Sequence, residues 1–280
     1  MIRTFRFAFM LRSAPLLAAA VLLLVACSSA KKDVYVERPV EELYNEAMDQ
    51  VGSEDYTKAA KSFDEVERQH PYSVWATKAQ LMSAYALYQA NHYDESIVAA
   101  DRFIQLHPGH RDVAYAYYLK ALDYYIQIAD VGRDQKTTQL ALTALSEVVR
   151  RFPDTSYARD ARLKIDLARD HLAGKEMEIG RWYEQGGYYL AAVNRFKAVV
   201  DKYQTTTHVP EALERLTECY LSLGLKDEAR KTAAVLGYNY PGSSWYAATY
   251  VLVAGKQQAE NLQQPPADKP GWFSRMFSIF

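Results

Sequence analysis

Apolar residues recur along residues 56–249 at helical spacing, with no sustained strand-type alternation. Pro71, Pro108, Pro153, Gln204 and Pro241 serve as register marks. Twelve residues before each mark stand Ala59, Ser96, Ala141, Ala192 and Ala229, and eight before stand Phe63, Ala100, Leu145, Phe196 and Ala233. Five before are Val66, Phe103, Val148, Val199 and Leu236; one before are His70, His107, Phe152, Tyr203 and Tyr240. Eight after are Ala79, Ala116, Ala161, Ala212 and Thr249. Steps of four, three and four put one apolar stripe on one helix face. The small residues let two helices approach closely. Proline cannot continue a helix interior, so each mark predicts the end of a helix. Ser73, Gly109, Thr155, Ser156, Thr205 to Thr207 and Gly242 to Ser244 predict turns and N-caps for the next unit. Gly52, Gly186, Gly187 and Gly224 predict the tight turn inside a unit. The expected fold is all-α, a superhelical array of about five helix-turn-helix units.

These units resemble tetratricopeptide repeats, in which Ala is followed by an aromatic four residues on, an apolar residue three further and Pro five beyond. Ala59-Phe63-Val66-Pro71 and Ala141-Leu145-Val148-Pro153 keep the pattern, and Ala192-Phe196-Val199 keeps it without the proline. The marks lie 37, 45, 51 and 37 residues apart, against a standard period of about 34. The third unit is expected to carry an insertion at 130–136 and the fourth an extra turn around 173–175.

The ends of the chain follow a different pattern. Arg3, Arg6 and Arg12 precede an uncharged run from Ala14 to Ala26. The run is too short to span a membrane, which takes roughly 20 apolar residues, and it fits the core of a secretory signal. It closes on Leu24-Val25-Ala26-Cys27, which resembles the lipobox of bacterial lipoproteins. The resemblance implies removal of residues 1–26 and lipidation of Cys27. Ser28 at the next position implies export to the outer membrane. Residues 27–38 then read as a lipidated tether, 39–257 as the repeat array and 258–270 as a Pro-rich linker. In the last segment, 271–280, Phe273, Met276, Phe277 and Phe280 share one helical face that Trp272 widens. Such a tail is expected to dock on a partner, on its own array or on lipid.

Composition removes several function classes. The chain holds 33 Lys+Arg against 34 Asp+Glu, and three of the arginines lie in the first 26 residues. No basic footprint for nucleic acid remains. Two cysteines, Cys27 and Cys219, make no disulfide framework. His107 and His110 straddle Pro108-Gly109 and share no helix face. No phosphate loop, acid–base pair or nucleophilic triad is present, so no catalytic residue, metal or cofactor is expected beyond the lipid on Cys27. Tyrosine, with 22 copies, is suited to contact surfaces because its ring is apolar and its hydroxyl polar.

Several strings go beyond the generic repeat: Tyr56-Thr57-Lys58-Ala59-Ala60, His70-Pro71-Tyr72-Ser73, Asp101-Arg102-Phe103-Ile104, Arg151-Phe152-Pro153-Asp154-Thr155 and Ala191-Ala192-Val193-Asn194-Arg195. Through them the chain to about residue 245 resembles the BamD (ComL) lipoproteins of the outer-membrane β-barrel assembly machinery. The resemblance implies a non-catalytic scaffold on the periplasmic face of the outer membrane. Its implied partners are the periplasmic domains of the central barrel subunit BamA, the accessory lipoproteins BamC and BamE, and unfolded outer-membrane proteins. It implies a partner-docking role for Asn194 and Arg195, where a planar guanidinium can fork a carboxylate, although Arg195 also suits an internal ion pair. It implies substrate contact at His70, Tyr72, Tyr85 and Tyr88; His70 departs from the Tyr or Phe usual before that proline. The alternative is a repeat lipoprotein adaptor of another kind, pilotin-like or associated with the cell wall.

Overall fold

In the computed structural model the second helix of each repeat ends two positions before its register mark. The structure describes residues 37–254. They form eleven α-helices and no strand. The five pairs are α1 (Val40–Gly52) with α2 (Tyr56–Gln69), α3 (Val74–Gln89) with α4 (Tyr93–Leu106), α5 (Val113–Ile126) with α6 (Lys136–Arg151), α7 (Ser156–Gln185) with α8 (Tyr189–Lys202), and α9 (Val209–Ser222) with α10 (Lys226–Asn239). A last helix, α11 (Ser244–Ala254), covers α9 and α10. Each helix packs on its neighbours in sequence, and first helices also touch across units: α1 with α3, α3 with α5, α5 with α7 and α9 with α11. Cys27 and the apolar tail, with Trp272, Phe273, Met276, Phe277 and Phe280, lie outside the described residues. No helix among the described residues is long and apolar enough to cross a membrane.

The stripe is the core. Phe63 and Val66 of α2, Phe103 of α4, Leu145 and Val148 of α6, Phe196 and Val199 of α8 and Leu236 of α10 are all fully buried. The small residues Ala79, Ala116, Ala161, Ala212 and Thr249 on the following helices are buried against them. Ala233 is the weakest of the set and only half-buried. Burying each large side chain contributes roughly 1.5–3 kcal/mol.

Both ends of a repeat have a specific cause. His70, His107, Phe152, Tyr203 and Tyr240 all leave the helix at φ between −126° and −135° and ψ between 43° and 59°. Each donates its N–H to the carbonyl four residues back. Tyr203 does so with Gln204 after it, so proline reinforces this exit but is not required for it. Phe152 rests on the Tyr117 ring and His107 on Phe103, so packing of this side chain also holds the exit. Inside a unit, Glu54, Asn91, Gly187 and Gly224 occupy one equivalent position at φ of 61° to 77°. The next N–H bonds five residues back: Asp55 to Gln50, His92 to Leu87, Tyr188 to Tyr183 and Leu225 to Tyr220. That is a Schellman turn, which places one residue in the left-handed region.

Ser73 and Thr155 cap α3 and α7, accepting from the N–H of Ala76 at 3.0 Å and of Ala158 at 3.2 Å. Asp112 and His208, at the starts of α5 and α9, make no such side-chain bond. The expected insertion of the third unit is a loop after Gln127. Asp130 Oδ1 accepts from the Gly132 N–H at 2.8 Å, Gln135 Nε2 donates to the Asp130 carbonyl at 3.0 Å, and Lys175 Nζ of α7 donates to the Gly132 carbonyl at 3.0 Å. The added length of the fourth unit lies within α7, which runs unbroken for 30 residues through Ala173–Lys175.

Candidate binding surfaces

The residues expected to dock a partner sit on the second helix of the fourth repeat. Asn194 is exposed and Arg195 half-exposed, both on the first half of α8. Leu190, one helical turn before Asn194 and so on the same face, is 68% exposed. Trp182 near the end of α7 and Tyr188 in the turn are equally open, and the Tyr183 ring meets both edge-on. Arg195 Nη1 donates to Glu176 Oε2 of α7 at 3.2 Å. The internal ion pair is therefore formed, and the Arg195 side chain stays 42% exposed. An open apolar rim beside a half-exposed cation is a surface that another protein can cover.

The four residues expected to meet substrate fall into two pairs. His70 and Tyr72 flank Pro71 just before α3, and Tyr72 stands fully in solvent. Tyr85 and Tyr88 lie near the other end of α3, about 20 Å along the axis at 1.5 Å per residue. They pack half-buried against Ala84, Ala100 and Leu119, and Tyr85 Oη accepts from Gln89 Nε2 at 2.7 Å. No single pocket unites the four. Tyr88 and Tyr85 instead begin a run of rings on the first helices. Tyr115 and Tyr118 of α5 both meet Tyr157 of α7, at 5.6 and 5.2 Å between centroids. Burial and the neighbouring rings push the Tyr115 hydroxyl well above the usual phenol range; burial and the Asp160 carboxylate do the same for Tyr118. Those hydroxyls stay protonated donors, and Tyr118 uses its proton on Asp160.

A groove of about 860 Å³ opens between α2, α3 and α4. Leu87, Val98 and Ala99 line its floor, with Asp64, Glu67, Asp94 and Glu95 among its polar walls. Arg102 and Gln80 both bind Glu67 across the repeat boundary. Sequence reasoning did not single out this groove. Its one signal is the apolar pair Leu87 and Val98, which lies off the core stripe.

The junction of α7 with α9 was missed as well. Arg215 faces Glu218 at 3.1 Å, Glu184 at 3.5 Å, Glu214 at 3.6 Å and Glu211 at 3.7 Å, and lies 5.9 Å from the Trp245 ring of α11. Arg181 pairs with Glu211 at 2.9 Å. Burial and the other carboxylates raise Glu214, which is almost wholly inside. Cys219 donates its thiol proton to Glu184 at 3.5 Å, and burial beside that carboxylate pushes the thiol up to about 12. The thiolate, the reactive form, is thereby suppressed. Among the described residues no three His, Cys, Asp or Glu side chains group as a metal site.

Several known proteins are similar to this chain. The family model YfiO, described as an outer membrane lipoprotein, matches residues 36–236. The outer membrane protein assembly factor BamD of Caulobacter vibrioides is 54% identical over 244 residues, covering 86% of this chain and 79% of that one. BamD of Rickettsia prowazekii is 49% identical over 236 residues, covering 84% and 94%. A solved tetratricopeptide protein of Thermus thermophilus is 18% identical, with a TM-score of 0.36, covering 77% of this chain and 99% of that one. On its match to the family model and on these identities, the chain belongs to the YfiO family, together with the BamD outer membrane assembly factors.

Proposed function

We propose that this chain is a non-catalytic scaffold subunit of the β-barrel assembly complex and works in outer-membrane protein assembly. The observation that carries the reading is the 54% identity to a BamD assembly factor across 86% of the chain. The acylated Cys27 would tether the array to the outer membrane on its periplasmic side. Three acyl chains hold durably, at ~0.8 kcal/mol per buried CH₂. The Trp182–Tyr188–Leu190 rim with Asn194 and Arg195 would dock the periplasmic domains of BamA. In that contact Arg195 exchanges or shares Glu176 with a partner carboxylate, a change its half-exposed position allows. The first repeats would receive unfolded barrel chains through the exposed Tyr72 with His70 and the ring run that starts at Tyr85 and Tyr88. BamC and BamE would bind as further lipoproteins of the same complex. The suppressed Cys219 thiol and the paired Arg215 cluster fit a structural role and supply no reacting group.

Depleting the chain from its own cells tests the reading. Folded barrel proteins in the outer membrane should fall while periplasmic proteins hold steady. Unchanged barrel levels on full depletion would exclude an assembly role and favour an adaptor of another kind.

A further inference from the structure

Asp123 lies on α5 with no exposed surface, at the junction where α5 meets α3 and α4. Its Oδ2 is 2.7 Å from the Oγ of Ser96 on α4, and that same Oγ is 3.0 Å from the carbonyl oxygen of Ala84 on α3. Ser96 is itself fully buried. A serine hydroxyl has one proton. The Ala84 carbonyl only accepts, and an ionised carboxylate only accepts. Both short contacts are therefore hydrogen bonds only if the carboxyl carries a proton. The relay then runs from Asp123 Oδ2–H to Ser96 Oγ and from Ser96 Oγ–H to the Ala84 carbonyl, joining the three helices. Asp123 Oδ1 has no hydrogen-bond partner.

The groups around the carboxyl agree. Asp94 of α4 acts on it, and the Asp123 charge is felt by Tyr88 of α3 and Tyr115 of α5, with Tyr85 of α3 beside both rings. None is a cation, and Asp94 opposes ionisation. On the far side of α5, α6 contributes Leu145 and Val148 to an apolar cluster with Ala121. Burial is the main cause that pushes the Asp123 carboxyl up to about 7. An unpaired buried charge is costly, so ionisation strains the contacts that hold it.

We propose that Asp123 is a proton-held latch between the second and third repeats. Protonated, it ties α5 through Ser96 to α3. When the proton leaves to solvent, the single Ser96 proton can serve the carboxylate or the Ala84 carbonyl but not both. A buried charge remains and the junction loosens, so the two ends of the array move more freely. The latch goes beyond the assembly reading and does not depend on it.

Backbone hydrogen exchange on the full lipoprotein in detergent micelles, corrected for intrinsic rates, tests the latch across pH 5 to 8.5. The open junction exposes an ordinary carboxyl and the closed one a raised carboxyl. The opening constant of amides in α4 and α5 should therefore rise roughly tenfold per pH unit to about neutrality and level off above it. In Asp123→Asn, whose amide can still donate to Ser96, it should stay flat. Ser96→Ala keeps the carboxyl and withdraws the hydroxyl that favours its charged form, so the plateau should move to higher pH. This variant also serves if Asp123→Asn fails to fold. A flat profile in the parent chain, the same slope in Asp123→Asn, or an unmoved plateau in Ser96→Ala would each overturn the latch.

Discussion

The Phe196 ring of α8 lies directly on the backbone of α7 at Gly180. A methyl group there would sit 2.8 Å from Cδ1 and 2.9 Å from Cζ, with Cε1 closer still. Both residues belong to the fourth repeat, and Phe196 is the aromatic of its stripe. Helix propensity alone favours Gly180→Ala by up to about 1 kcal/mol. The clash acts the other way, because overpacking a close-fitted core costs about 1–3 kcal/mol. We predict net destabilisation, seen as a urea midpoint that falls. A midpoint that rises would mean the ring does not rest on this backbone.

Glu54 stands at φ 61° where Gly187 and Gly224 stand in later repeats. A residue with a Cβ in that region costs roughly 1–2 kcal/mol, and glycine returns part of the gain through its larger unfolded-state freedom. Glu54→Gly should therefore stabilise the chain by about 0.5 kcal/mol, and Gly187→Ala should destabilise it by about 1 kcal/mol. Chemical denaturation of the two variants checks both signs; a Glu54→Gly variant weaker than the parent would contradict the turn geometry.

Glu214 offers a pH test at the other end of the array. Its carboxyl is raised by burial and by Glu218, so the folded state holds a proton that the unfolded state has released above the ordinary carboxylate range, about 4.3. Stability from this site therefore falls as pH rises from about 4 toward the raised value, and then stays level. Glu214→Gln removes that loss, and Arg215 keeps Glu218, Glu184 and Glu211. Thermal melts should show the variant equal to the parent near pH 4 and more stable at pH 8, by about 1 kcal/mol or more. Equal melting points at both pH values would mean Glu214 is ionised in the fold.

Arg195 and Glu176 separate docking from internal pairing. The pair is partly exposed, so breaking it should cost the isolated chain no more than about 1 kcal/mol. Arg195→Glu should weaken binding to BamA periplasmic domains by tenfold or more, read by calorimetry. Adding Glu176→Arg restores the internal pair with its charges swapped. If Arg195 works by meeting a partner carboxylate, the double variant stays weak; full recovery would confine Arg195 to a structural role.

Much of the architecture was legible because it is local and repeated. The Ala59-Phe63-Val66 spacing names buried residues in every unit, and His70 and its equivalents mark each exit. What escaped depends on how one helix rotates against another. Ala173-Gly174-Lys175 suggests an added turn, yet α7 continues unbroken through it, and the side chains of Val131 and His208 lie beside Gly174. Tyr115, Tyr117 and Tyr118 carry no sign of their destinations. Tyr115 and Tyr118, three residues apart, reach Tyr157, whereas Tyr117 turns to Phe152. Among site residues, Arg195 was legible as a cation with two uses, and the ion pair to Glu176 is formed. Trp182 and Leu190 were not singled out, because an apolar residue near a turn reads as core until the neighbouring helices are placed.

A subunit of a working assembly complex should leave the membrane together with its partners. A detergent pull-down of the full-length chain from its own envelope membranes, with co-eluting chains identified by mass, reads this out. A large outer-membrane barrel protein with periplasmic domains should be recovered, and less of it with an Arg195→Glu chain present at equal level. Recovery of a secretin, of a cell-wall enzyme or of no barrel protein would contradict the assembly role.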